Sequence, residues 1–195
     1  FIVEHNTDKL LLEKFVRKPV YLTHGSGLSI EGFKRQRTPK KITLRIGYLS
    51  RFHESKGSHE ILKAAKSLPD DRELIIAGWD IKGNKYSEAF QKISQSKSNV
   101  IFLGRLKARE EISQFFNNID LFLSPSVREG GNIALQEAIW HRVPFLTTNV
   151  PGCDVLAQIF LCPAISMEEF GDAVLDKDLC DLKVDTSAWD EKIKP

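Results

Sequence analysis

From residue 42 onward, short apolar segments alternate with amphipathic ones, and this alternation restricts the chain more than any other feature it has. Strand candidates fall at 42–49, 73–77, 100–103, 120–123, 144–148 and 159–162. Between them, apolar residues recur at the spacing of half-buried helices: Ile61, Ala64, Ala65 and Leu68, then Tyr86, Ala89, Phe90 and Ile93, then Ile112, Phe115, Phe116 and Ile119. A last helix is expected from Ser166, where Glu169 completes a capping box and Met167, Phe170 and Val174 turn inward. Strands this short and this apolar, each followed by a helix, form a parallel sheet buried on both faces. The expected fold is a Rossmann-like α/β layer of about six strands.

In such a sheet, ligands collect outside the carboxyl ends of the strands, so the loops that follow the strands hold the chemistry. The loop after 120–123 is the most informative. Ser124-Pro125-Ser126-Val127-Arg128-Glu129-Gly130-Gly131 opens directly into a helix expected near Asn132. Unbonded N–H groups of a first helical turn, with glycines that let a ligand approach the backbone, make an anion site suited to phosphate. Glu129 and Glu137 repel phosphate and must serve something else. An ionised carboxylate accepts two O–H donors at once, and phosphate together with hydroxyls describes a nucleotide sugar. The same residues also fit an exposed, Glu-rich turn in which Glu129 pairs with Arg128. After the first strand, Arg51 and Lys56 bracket a turn that ends at Gly57, within reach of a diphosphate.

Other features narrow the reading. Twenty-eight basic and 26 acidic residues, well mixed at a net charge of +2, leave no face for nucleic acid. Cys153, Cys162 and Cys180 are odd in number and lack metal-ligand spacing, as expected of a reduced, cytosolic chain. Asp176-Lys177-Asp178 follows a helix and reads as a solvated face. Asp70-Asp71 reads as a turn, His53 and His59 as solvent-facing, and Trp140 and Trp189 as packing residues. No Gly-x-Gly-x-x-Gly follows the first strand, which speaks against a dehydrogenase. No apolar run approaches the roughly 20 residues needed to span a bilayer. A start at Phe1 is read as the mark of a fragment.

A set of motifs spread from His24 to Ile159 carries a family resemblance. They are Gly25-Ser26-Gly27-Leu28, Ser50-Arg51 with Lys56-Gly57, Phe102-Leu103-Gly104, and Pro125-Ser126 ahead of Glu129. Glu137-Ala138, Pro144 before Leu146-Thr147-Thr148, and Pro151-Gly152 complete the set. Together they resemble the C-terminal, donor-binding domain of retaining GT-B glycosyltransferases (glycosyl transferases group 1, family 4-like). The resemblance implies that Arg51 and Lys56 bind the donor diphosphate, that Glu137 holds the ribose, and that Glu129 binds the transferred sugar. It places the backbone of Gly130, Gly131, Asn132 and Ile133 on the phosphates or sugar, and Gly104, Arg105 and Leu106 near the nucleobase. The family pattern has an aromatic residue and a glycine where this chain has Gly131 and Asn132, and a glycine where it has Ser50.

On this reading the donor is a UDP- or GDP-linked sugar, and no metal or other cofactor is expected. The acceptor is a glycan or lipid-linked molecule met through an absent N-terminal domain, with peripheral membrane contact at the inner face of the plasma membrane. Residues 1–40 are then a remnant of the N-terminal domain with a linker, 41–180 the nucleotide-sugar-binding domain, and 181–195 a tail. The fragment alone is expected to be inactive. Two alternatives stand beside this one: a GT-B sugar-nucleotide epimerase, and a non-catalytic nucleotide-binding module.

Overall fold

The computed structural model describes residues 2–3, 6–22, 33, 43–81, 85–176 and 184–192. Strands β1 (Ile2–Val3) and β2 (Tyr21–Leu22) pair in parallel around helix α1 (Asn6–Leu12), a small βαβ unit.

The main sheet holds β3 (Leu44–Phe52), β4 (Arg72–Asp80), β5 (Val100–Gly104), β6 (Leu121–Ser124), β7 (Phe145–Thr148) and β8 (Ala164–Ile165). All pair in parallel, in the order β5-β4-β3-β6-β7-β8. The helices are α2 (Ser58–Ser67), α3 (Tyr86–Ser96), α4 (Arg109–Asn117), α5 (Ile133–Trp140), α6 (Cys153–Phe160), α7 (Met167–Leu175) and α8 (Trp189–Lys192). This is the expected α/β layer with helices on both faces.

The period-two alternation of the strands sorts their side chains into two cores. Ile46, Tyr48, Leu74 and Ile76 pack with Ile61, Ala65, Phe90 and Phe170 of α2, α3 and α7. Ile75, Ala77, Phe122 and Phe145 pack with Phe116, Leu135, Ala157 and Phe160 of α4, α5 and α6. Trp189 of α8 is buried in the second core, edge-on to Phe160 at 5.0 Å, as a packing residue. Gly47 lets α4 and the turn after it close on β3, since a Cβ there would stand 2.9 Å from Phe115 Cζ and 2.4 Å from Ile119 Cδ1.

One expected strand is wrong. Residues 159–162 do not form a strand: Ile159 and Phe160 end α6, and the sixth strand lies beyond Pro163. Cys153, Leu156, Ala157 and Phe160 recur at helical spacing, so the short apolar run belongs to a helix that is fully apolar on one side. Leu161, in the left-handed region at φ 55°, stops it.

The final helix begins as expected: Ser166 Oγ accepts the Glu169 N–H at 3.3 Å, and the Glu169 carboxylate accepts the Ser166 N–H at 3.1 Å. Residues 25–28, the basic stretch 34–41, Lys177, Asp178 and Cys180 lie outside the described residues. Among the described residues no helix is long and apolar enough to cross a membrane.

Candidate active site

The sheet order reverses direction at β3, which pairs with β4 on one side and β6 on the other. Chain connections leave for opposite faces at that point, and a crevice opens beyond the strand ends. The crevice here is a cleft of about 330 Å³. Its walls include Ser50 and Arg51, which lie in the last residues of β3 and not in the loop expected after it. They also include Lys56 beyond that strand, Ser124 at the end of β6 with Pro125, Ser126 and Glu129 after it, and Gly131, Asn132, Ile133 and Glu137 at the head of α5. Of the residues expected to act, Arg51, Lys56, Glu129, Gly131, Asn132, Ile133, Glu137 and Leu106 all line it. Gly130, Gly104 and Arg105 lie beside it without forming its walls.

The loop after β3 is fixed by its own polar groups. His53, expected in solvent, instead caps the 3-10 turn Glu54–Lys56: its Nδ1 accepts the Ser55 N–H at 3.1 Å. The Tyr48 hydroxyl donates to the Lys56 carbonyl at 2.9 Å and lies 2.9 Å from Ser58 Oγ. His59 is exposed, as expected. Gly57, at φ 67°, closes the turn in a conformation that glycine tolerates best, and an added Cβ would stand 2.0 Å from the Pro125 carbonyl oxygen. Val127 donates its N–H to the Ser55 carbonyl at 2.9 Å. The loops after β3 and β6, some 70 residues apart in sequence, are thus packed backbone to backbone.

That contact brings Lys56 to Glu129. The Lys56 ammonium donates to Glu129 Oε2 at 2.7 Å, and Ser126 Oγ donates to Glu129 Oε1 at 2.5 Å. Glu129 therefore pairs with Lys56 across the cleft, and the carboxylate is 7% exposed. Ser126 is held in turn by Thr148, whose hydroxyl donates to the Ser126 carbonyl. Arg51 is exposed at the cleft mouth.

Helix α5 begins where the sequence placed it. Asn132 caps it: its side-chain oxygen accepts the Leu135 N–H at 3.1 Å, while its amide donates to Ser124 Oγ at 2.6 Å. A helix gives the other N–H groups of its first turn no internal partner, and these lie where the cleft wall is formed by Gly131 to Ala134.

One turn further along α5, Glu137 is buried at 8% exposure. Burial pushes its carboxyl up to about 7, and the nearby positive charge of Arg109 draws it back down in part. Its backbone carbonyl is held by the ring of His141, 2.8 Å away, and that ring stacks on Phe116.

Trp79, which the sequence reading passed over, also lines the cleft, together with Leu106 and Ile112. Strand β4 runs on to Asp80, beyond the expected end at residue 77, so Trp79 occupies a strand end facing the crevice. The Arg105 guanidinium lies over its ring, 4.5 Å from the centroid. Tyr48 is a further contributor that no motif marked, and Ser126, marked only as part of Pro125-Ser126, holds the Glu129 carboxylate. Among the described residues no group of three or more His, Cys, Asp or Glu side chains is arranged to hold a metal ion.

The chain has relatives of known family and fold. A family profile described as "Glycosyl transferases group 1" matches residues 30–174. The capsular polysaccharide biosynthesis glycosyltransferase CapM of Staphylococcus aureus is 32% identical over 111 residues, 55% of this chain and 28% of CapM. The chain thus spans under a third of the length of such curated relatives.

Among solved structures, WaaG, a glycosyltransferase involved in lipopolysaccharide biosynthesis, superposes over 97% of this chain and 56% of its own, with a TM-score of 0.70 at 20% identity. Anabaena Alr3699/HepE, solved in complex with UDP and glucose, covers 98% of this chain and 57% of its own, with a TM-score of 0.69 at 15% identity. At these identities the likeness is one of fold.

Proposed function

From the premise that this chain belongs to the family of glycosyl transferases group 1, we propose that it is the donor-binding half of a GT-B enzyme that takes a nucleoside-diphosphate sugar. The whole protein would transfer the sugar, with retention, to a glycan or lipid-linked acceptor at the cytoplasmic face of a membrane. One observation carries the reading: Arg51, Lys56, Glu129, Glu137 and the head of α5 line a single cleft at the point where the strand order reverses. Cations, helix N–H groups and hydroxyl-accepting carboxylates thus share one cleft, with Lys56 paired to Glu129 within it. This combination suits a ligand with both phosphates and sugars. The names of two relatives, in capsule and lipopolysaccharide synthesis, agree with such an acceptor.

On this reading the residues divide the work as follows. Charge builds on the departing diphosphate as the glycosidic bond breaks, and preorganised positive groups stabilise it most where water is excluded. Arg51 offers a planar fork and Lys56 a point charge, and the first-turn N–H groups of α5 add the positive end of its dipole. They supply the charge that a metal would otherwise bring, so no metal is expected. Glu137, once ionised, accepts the two ribose hydroxyls. Glu129 binds the transferred sugar through a hydroxyl, from a position fixed by Lys56 and Ser126.

Titration calorimetry with UDP, GDP and ADP tests the proposal. Binding of at least one should be weakened about tenfold or more by Lys56→Ala and by Glu137→Ala, since a charged hydrogen bond contributes roughly 1.5–3 kcal/mol. Binding unchanged in both variants would move the donor elsewhere. No binding by the 195-residue chain or by a longer protein containing it would overturn the transferase reading.

A further inference from the structure

Both the backbone and the carboxyl of Glu137 are acted on by residues that do not line the cleft. His141, which caps α5, turns two N–H groups on the Glu137 carbonyl: its backbone N–H at 3.0 Å and its ring Nδ1 at 2.8 Å. A carbonyl oxygen only accepts, so Nδ1 carries a proton, and Nε2 faces Ser113 Oγ of α4 at 3.2 Å. The ring is buried and stacks on Phe116 with centroids 5.3 Å apart. A second ring, that of Phe33, meets it edge to face, also at 5.3 Å.

Phe33 is half-buried and precedes the first strand of the main sheet, far in sequence from α4 and α5. The same ring lies under the Arg109 guanidinium, 5.4 Å from its centroid, a distance at which a cation is drawn to an aromatic face. Arg109 is exposed at the start of α4, where an arginine side chain has many rotamers open to it. Contact with Phe33 narrows that choice. The charge held there acts on Glu137, because it partly offsets the rise that burial imposes on the carboxyl. Arg51, Lys56 and Glu129 also border the cleft, but the last two are paired with each other.

We infer that Phe33 is a positioning residue for Glu137, reaching its backbone through His141 and its carboxylate through Arg109. A single ring ahead of the sheet thus serves both the placement and the charge of a group inside the cleft. The inference rests on the donor-binding reading for what Glu137 holds, and on the contacts alone for how Glu137 is held. With Arg109 in place, a larger share of Glu137 is ionised near pH 7, and the ionised form is the one that accepts ribose hydroxyls.

Two readouts test this, one of them free of nucleotide. Isotope-labelled glutamate carboxyls of the unliganded chain are titrated by NMR, with Glu137 assigned by its loss in Glu137→Gln. Phe33→Leu keeps apolar bulk and loses the ring, whereas Phe33→Tyr keeps the ring. Glu137 should titrate at higher pH in Phe33→Leu and in Arg109→Gln, and no higher in the double variant than in Arg109→Gln. Phe33→Tyr should titrate as the wild type does. For the second readout, UDP, GDP, ADP and inorganic pyrophosphate are titrated calorimetrically at pH 7 and pH 9. Phe33→Leu should weaken nucleoside diphosphates about threefold at pH 7, the scale of one screened charge, and recover most of that loss at pH 9. Pyrophosphate has no ribose and should bind unchanged.

An unchanged Glu137 titration in Phe33→Leu would overturn the inference. Arg109 is exposed, so Arg109→Gln should fold whether or not Phe33→Leu does, and an unchanged titration there would be equally fatal. A loss of affinity that is the same at both pH values and shared by pyrophosphate would make the ring a structural support only. A shifted titration in a chain that binds no nucleotide would uphold the positioning of Glu137 and count against the donor-binding reading alone.

Discussion

At the scale of single residues, the cleft is governed by how its two carboxylates are housed. Glu137 is buried, so its proton is held up to about 7, above the ordinary glutamate value of 4.5. The folded state thus binds more protons than the unfolded one between those values. The contribution of Glu137 to stability is fully present below pH 4.5 and is lost as pH rises through 7. Glu137→Gln should be nearly neutral at pH 4 and should stabilise the unliganded chain at pH 8 by about 2–3 kcal/mol. Thermal unfolding at the two pH values checks this, and equal melting shifts at both would contradict it. Ribose recognition by the ionised form should follow the opposite course, with nucleoside diphosphate affinity rising from pH 6 to 8 and Glu137→Gln flattening the profile.

Glu129 behaves differently, because Lys56 and Ser126 already bind both of its oxygens. Its charge competes with phosphate for Lys56. Glu129→Gln should therefore tighten inorganic pyrophosphate roughly fivefold, the effect of about 1 kcal/mol of screened repulsion, while weakening any sugar nucleotide that relies on the carboxylate.

At the scale of elements, the site depends on how loops leave β3 and β6. Gly57→Ala would force a side chain into the Pro125 carbonyl at a φ of 67°. It should cost at least about 3 kcal/mol in urea unfolding, more than left-handed strain alone, which is of order 1–3 kcal/mol. Asn132→Ala removes both the cap of α5 and the bond to Ser124 and should cost about 1–2 kcal/mol.

The elements that the sequence reveals best are those with strong local signals. The helix start at Ser166 carries its own capping box, and Ile61 to Leu68 and Ile112 to Ile119 repeat at the helical period. The misread segment, 159–162, had only apolarity to go by, which a buried helix and a buried strand share. The residues that line the cleft are legible where glycine, proline and charge mark a loop. The pairing of Lys56 with Glu129 and the ring of Trp79 are not, because each depends on which strand ends become neighbours. Sequence spacing carries no trace of that adjacency.

At the scale of the molecule, the proposed reading makes this chain one face of a catalytic cleft. The isolated 195 residues should bind donor and show no sugar transfer in an acceptor assay. A longer protein containing them should transfer, and addition of EDTA should leave its rate within about twofold if Arg51, Lys56 and α5 carry the charge stabilisation. Transfer by the short chain at enzyme-like rates, or abolition by the chelator, would refute those expectations.

The backbone contact between Gly57 and Pro125 has a consequence for how the protein loses function on heating. The two loops are clamped to each other and to the central strands, so the cleft cannot come apart while the sheet stays whole. Nucleotide affinity is then a property of the folded ensemble as one unit, with no separate, softer transition of its own. The molecule should hold its ligand up to the temperature at which the sheet itself melts.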